Sequence, residues 1–182
     1  MKRRRDYLNA VQDGGPPAFH VSDEEARVRS LPRCEIVPIR RETLTPVMLR
    51  PYAATLWLPP GAVEDTELAS DTGQGWDWPT GESLYLQTHR DPELPGVYTL
   101  TTASPGVTWL EVAGRPMRVR RCAPGDPQWR GDGYAAEVAG FLDDRTSFWA
   151  LSQAPLYEQS EYILAAVATL STYAREGPSE QG

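Results

Sequence analysis

The stretch from residue 107 to residue 173 constrains the fold most, because it carries the most ordered apolar pattern in the chain. Two strand patterns flank the corner Gly114-Arg115-Pro116, and the hairpin that follows turns at Asp143-Asp144-Arg145-Thr146. An Ala-rich amphipathic helix ends the stretch. The predicted strands cover residues 107–112, 117–122, 135–142 and 147–152, and the predicted helix covers 156–174. The sequence therefore predicts an α+β domain with a central antiparallel sheet and a C-terminal helix packed on one face.

Side-chain alternation assigns faces to the two strands that precede the hairpin. The first strand places Leu110 and Val112 on one face and Trp109 on the other. Because both faces are partly apolar, we expect this strand to be central in the sheet. The next strand alternates apolar with basic side chains, which is typical of a half-buried strand with a basic outer face. Its outward-pointing residues are Arg118 and Arg120.

The first half of the chain predicts shorter elements. Ser22 and Glu25 match a capping box, which predicts a short N-terminal helix over residues 23–29 that Pro32 ends. Strand patterns follow at residues 34–39, 52–58, 83–88 and 97–102. We expect one domain over residues 22–175, with a loosely ordered segment at 1–21 and a disordered polar tail at 176–182.

Charge and hydropathy argue against two classes of function. The chain of 182 residues has a net charge of −7, and a nucleic-acid binder needs concentrated Lys and Arg to neutralise phosphates. No apolar run approaches the roughly 20 residues of a membrane-spanning helix. The basic start at residues 1–5 is not followed by the apolar core of a secretory signal. We therefore expect a cytoplasmic protein, or an envelope or secreted protein if a leader has been removed.

No catalytic or metal-binding motif is present in the sequence. His20 and His89 lack a metal-ligand spacing to each other or to a cysteine, so we expect neither a metal nor a cofactor. Cys34 and Cys122 each lie at a predicted strand end, and both one disulfide and two separate thiols remain open interpretations. The candidates for paired acid–base chemistry are Glu64, Glu82, Glu111 and Glu137.

The order of features over residues 34–173 resembles the PsbP-like fold family, named for an extrinsic photosystem II subunit and shared by small bacterial lipoproteins. The features are the strand end Leu58-Pro59-Pro60-Gly61, the segment Trp76-Asp77-Trp78, the corner Gly114-Arg115-Pro116, the hairpin and the closing helix with Ile163-Leu164-Ala165-Ala166-Val167. The resemblance implies an antiparallel sheet with helices on its faces. It also implies a binding or assembly role, since members of that fold mostly lack catalytic sites. It carries over no functional residue.

These observations lead to three hypotheses about function. The first is a non-catalytic binding or accessory protein that recognises another protein, because Arg and Trp dominate binding hot spots. Its candidate residues are Arg118, Arg120 and Trp129, and separately Trp76 and Trp78. The second is a hydrolase that uses paired carboxylates, which a pocket lined by Trp76, Trp78 and Glu82 would support. The third is a carrier that holds a small apolar ligand between helix and sheet.

Overall fold

The computed structural model describes residues 20–50, 52, 54–90 and 105–172. Within them, helix α1 covers Val21–Arg29, a short 3-10 helix covers Arg41–Thr43, and helix α2 covers Tyr157–Val167. The strands are β1 Thr45–Leu49, β2 Ala54–Leu58, β3 Val63–Asp65, β4 Gly73–Asp77, β5 Ser83–His89, β6 Thr108–Val112, β7 Arg115–Cys122, β8 Tyr134–Asp143, β9 Thr146–Ala154 and β10 Ser171–Thr172. No helix in these residues is long and apolar enough to cross a membrane.

Two antiparallel sheets organise the domain. The larger sheet has the strand order β3-β4-β5-β9-β8-β7-β6, and the smaller has the order β1-β2-β10. Helix α2 packs on β8 and β9 of the large sheet and on β2 of the small one, and α1 packs on β7 and β6. The predicted α+β class, with a C-terminal helix on the sheet and a short N-terminal helix, is confirmed.

The main core lies between the large sheet, the small sheet and α2. Alternate residues of the long strands point into it, so Val119, Val138 and Phe148 are fully buried. Helix α2 adds Ile163, Leu164 and Val167 to the same cluster. The core is thus built from the apolar periodicities of the hairpin and the closing helix.

Helix α2 ends earlier than the sequence predicts. The hydroxyl of Thr169 donates a hydrogen bond to the carbonyl of Ala166 at 2.6 Å, and the chain then leaves the helix axis. Residues Ser171–Thr172 pair with β2 and complete the small sheet. The predicted helix over 156–174 is therefore too long, because strand pairing takes over where the apolar stripe continues.

Helix α1 begins at Val21 rather than behind a Ser22 cap. Its N-cap is His20, which makes no side-chain capping bond, and the backbone N–H groups of Asp23 and Glu24 donate to the His20 carbonyl. The predicted capping box is wrong. Residue Glu24 faces the sheet instead of the solvent, together with Val28.

The strand β6 lies at the edge of the large sheet, not at its centre. Its free side meets the segment at residues 32–34, where Cys34 N–H donates to the Trp109 carbonyl and Trp109 N–H donates to the Pro32 carbonyl. The guanidinium of Arg33 lies 5.3 Å from the Trp109 ring centre. The Arg33 side chain thus covers the Trp109 face of β6, and Leu110 and Val112 on the other face belong to the main core. The predicted strand at 34–39 is wrong, because the only pairing near it in the described chain is an isolated bridge between Arg33 and Trp109, just before that range.

Three predictions fall wholly or mainly outside the described residues. They are the loosely ordered segment at 1–21, the strand at 97–102 and the tail at 176–182.

Candidate functional site

A pocket of about 560 Å³ lies where four separate parts of the chain meet. They are the 3-10 helix, the corner after β2, the turn between β4 and β5, and the first two turns of α2. We call it the Trp78 pocket, and its lining residues are Thr43, Pro59, Pro60, Trp78, Thr80, Glu82, Glu158, Gln159, Tyr162 and Ile163. Its lining surface is mainly apolar, and it is open to solvent on one side.

The wall of the pocket is fixed by Trp78. Its indole N–H donates to the Pro59 carbonyl at 3.2 Å, which joins the β4–β5 turn to the corner after β2. Trp78 is 7% exposed and packs mostly into the main core, so only a small part of its surface borders the pocket. Because the polar N–H of Trp78 is already bonded, the ring presents only apolar surface to a ligand.

The tight turn after Trp78 places Glu82 beside it. Backbone hydrogen bonds run from Gly81 N–H to the Trp78 carbonyl and from Trp78 N–H to the Glu82 carbonyl, both at 3.0 Å. Gly81 has φ +98°, a left-handed conformation that favours glycine. The Thr80 hydroxyl donates to the Glu82 carboxylate and orients it.

A second carboxylate reaches the pocket from α2. Glu158 is exposed on the first turn of that helix, and Glu82 is half-buried. Neither forms an ion pair within the described part of the chain, and the lining includes no Lys or Arg. The pocket therefore combines an apolar wall with two unneutralised acids.

The arginines predicted for partner binding lie inside the protein. Arg118 forms a buried ion pair with Glu24 of α1, and burial lowers its pKa from the ordinary value. Arg120 pairs with Glu137 at 3.4 Å and donates to Gln128. The predicted basic outer face of β7 is therefore not free for a partner, because α1 covers Arg118 and the neighbouring strand β8 supplies the partner of Arg120.

The candidate tryptophans occupy three different environments. Trp76 and Trp78 are 3% and 7% exposed and both belong to the main core, but only Trp78 also lines the pocket. Trp129 is half-buried, and its indole N–H donates to the Gly133 carbonyl at 2.9 Å. Its ring packs on Gly131 of the same loop. The structure thus brings none of these tryptophans together with Arg118.

The cysteines are free, and the strand geometry keeps them apart. The Cys34 sulfur lies 3.3 Å from the Arg121 guanidinium, so it is on the Arg121 side of β7. Cys122 is the next residue of that strand and points to the opposite face. The disulfide interpretation is therefore wrong. Burial raises the pKa of the Cys122 thiol, and the hydrogen bond with Glu161 raises the pKa of Arg121.

Among the carboxylates suggested by the sequence, only Glu82 lines the Trp78 pocket. Glu64 pairs with Arg50, Glu137 accepts from Trp149 at 2.8 Å, and Glu111 is exposed on β6. Glu158 was missed because an acid in the first turn of a helix also suits the helix dipole, so it gives no separate signal. Within the described residues, no group of His, Cys, Asp and Glu could hold a metal ion.

A second groove of about 450 Å³ lies on the outer face of the small sheet. Trp57, Pro46 and Met48 line it, and the Arg41 guanidinium lies 5.7 Å from the Trp57 ring centre. A cation already occupies the aromatic surface there, so this groove differs in charge from the Trp78 pocket.

Comparison with known proteins adds nothing about function. No family model and no curated protein matches the chain. A crystal structure from Bacteroides thetaiotaomicron VPI-5482 is similar at 8% identity and a TM-score of 0.49, over 68% of this chain and 46% of that chain. This chain thus spans about half the length of that neighbour. The likeness carries no argument about function, and the resemblance to the PsbP-like family stays a prediction.

Proposed function

We propose that this protein is a non-catalytic binding protein whose Trp78 pocket takes a segment of another protein. The observation that carries the proposal is the pocket itself, with its rigid apolar wall of Trp78, Pro59 and Pro60 next to unpaired carboxylates. Apolar surface with a few placed polar groups is the usual composition of a recognition site. The resemblance to the PsbP-like family, whose members mostly lack catalytic sites, points the same way.

The open shape of the pocket favours a protein segment over a small apolar cargo. Sites that hold small ligands bury about 70–90% of the ligand surface. The Trp78 pocket is open to solvent and carries acids at Glu82 and Glu158, which an apolar carrier would have no use for. A chain that lies across the pocket can fill it with one side chain and leave the rest of its own surface in water.

A hydrolase is the second candidate, because Glu82 and Glu158 line the same pocket. Paired carboxylates perform acid–base chemistry when burial keeps one of them protonated near neutral pH. Here Glu158 is exposed and Glu82 is half-buried. Because the pocket holds two acids and its lining has no Lys or Arg, the pair is better suited to binding a cation.

The proposal is tested by filling the pocket. Thr43 is exposed at the pocket rim, so Thr43→Trp adds bulk without disturbing the core. Thr66→Trp is the matched control, because Thr66 is also exposed but does not line the pocket. We expect the wild type and Thr66→Trp to retain the same stoichiometric partner from host lysate, and Thr43→Trp to lose it. Equal retention by both folded variants would refute the pocket as the binding site.

The hydrolase alternative has its own assay. We expect the wild-type protein to turn over chromogenic glycosides and esters no faster than buffer does. A measurable turnover that falls about a hundred-fold or more in Glu82→Gln would establish acid–base catalysis instead.

A further inference from the structure

We propose that the segment bound in the Trp78 pocket is basic, and that it inserts one Lys or Arg side chain toward Glu82 and Glu158. This inference rests on the proposed binding function and names the chemistry of its ligand. The methylenes of the inserted side chain pack on Trp78 and Pro60, and its cation meets the carboxylates. Long basic side chains commonly bury their stems on apolar surface in this way.

The charge pattern of the glutamates carries the inference. Every other buried or half-buried glutamate in the described residues pairs with an arginine, namely Glu24, Glu25, Glu64, Glu137 and Glu161. Glu82 is also half-buried, but within the described residues its carboxylate accepts a hydrogen bond from Thr80 and has no cation partner. Partly buried carboxylates are stabilised by an opposite charge. The pocket is therefore missing a cation that this fold supplies at each comparable position.

The aromatic residues of the pocket provide a second favourable interaction for a bound cation. Trp78 and Tyr162 both line the pocket, and an aromatic face attracts a nearby ammonium or guanidinium. Arginine would add bidentate hydrogen bonds to a carboxylate, which lysine cannot make. The overall charge of −7 also attracts basic partners and raises the rate of encounter.

The same net charge makes non-specific attraction the main competing explanation, so the test compares variants of equal charge. The pocket variant carries Glu82→Gln and Glu158→Gln. The matched variant carries Glu67→Gln and Glu111→Gln, two exposed acids that do not line the pocket. End-blocked pentaarginine and pentalysine are the basic probes, and pentaglutamine is the neutral one. Binding is followed by the NMR shift of the Trp78 indole N–H during titration.

We expect both basic peptides to shift the Trp78 signal and pentaglutamine to leave it unchanged. The pocket variant should bind pentaarginine about ten-fold more weakly than the wild type, and the matched variant within about two-fold. An equal loss in both variants would show general electrostatic attraction and overturn the inference. Butylguanidine that binds as tightly as pentaarginine would identify a small cation as the ligand and overturn the assignment to a peptide.

The design separates failure of this inference from failure of the proposed function. If pentaglutamine and pentaarginine bind the pocket equally and Thr43→Trp still loses the partner, the pocket binds a protein segment that is not basic. If Thr43→Trp retains the partner, the proposed function fails whatever the peptides do.

Discussion

The buried ion pair between Glu24 and Arg118 gives the sharpest prediction about stability. It joins α1 to β7, and the side chains are only 10% and 8% exposed. Glu24→Leu leaves the Arg118 guanidinium buried without its partner, which typically costs about 3–5 kcal/mol. The helix can release the charge to water by undocking, and this limits the loss. Undocking exposes mainly Val21 and Val28, at about 1.5–3 kcal/mol each.

The cost of leaving Arg118 unpaired and the cost of undocking α1 both start at about 3 kcal/mol. We therefore expect Glu24→Leu to lower the free energy of unfolding by about 3 kcal/mol. Arg118→Met should cost a similar amount, because it leaves the buried Glu24 carboxylate with only the exposed Arg27 as a cation partner. The double variant should recover most of the loss, since apolar pairs often replace buried ion pairs at no cost. Arg27→Met is the control: Arg27 lies 3.8 Å from the same Glu24, but its side chain is 72% exposed. We expect it to change the free energy of unfolding by less than about 1 kcal/mol.

Urea unfolding followed by circular dichroism measures these free energies, and hydrogen exchange reports whether α1 stays docked. We expect the amides of α1 in Glu24→Leu to exchange much faster than those of β8. If Glu24→Leu loses less than about 1 kcal/mol while α1 stays protected, Arg118 does not depend on Glu24. That result would show that the basic face of β7 is not neutralised from within the chain.

Three further predictions concern the turn, the sheet and the thiols. Burial raises the pKa of Asp143, but hydrogen bonds from the hairpin turn and from Tyr52 bring it below its ordinary value. Its stabilising effect is therefore present above the unfolded pKa of about 3.9 and is lost as pH falls through the lower folded pKa. Asp143→Asn should be less stable than the wild type at pH 7, and the gap in unfolding free energy should shrink below about pH 4. In Gly140→Ala, the new Cβ would lie 2.7 Å from a side-chain carbon of Met117, so we expect a loss of about 1–3 kcal/mol in thermal unfolding. After air oxidation, alkylation in denaturant without reductant should label both Cys34 and Cys122; an intact mass lacking these two labels would contradict the opposite-face assignment.

The sequence predicts the hairpin and the closing helix well because their signals are local. The turn residues of Asp143–Thr146 and the alternation on either side fix β8 and β9 to within about two residues. Pro155 marks the start of α2 within one residue of the prediction. These elements form the centre of the large sheet, so the fold class follows from them.

The order of the strands depends on contacts that no local pattern records. The apolar residues on both faces of β6 are equally consistent with a central strand and with an edge strand that another segment covers. The covering segment at 32–34 carries Pro32, which favours an edge contact. Its sequence does not predict that it pairs with Trp109. In the same way, alternating arginines on β7 look alike whether they face water or a helix that carries Glu24.

The Trp78 pocket shows the same limit for function. Its lining residues come from positions 43, 59–60, 78–82 and 158–163, and only the packed fold brings them together. Each acid taken alone has an ordinary role in the sequence: Glu82 follows a turn, and Glu158 begins a helix. Glu82 differs from the other buried and half-buried glutamates of the described chain, because each of those forms an ion pair with an arginine. Only the folded structure shows this difference. A basic ligand would therefore give Glu82 the cation partner that the other glutamates already have, and no sequence motif points to it.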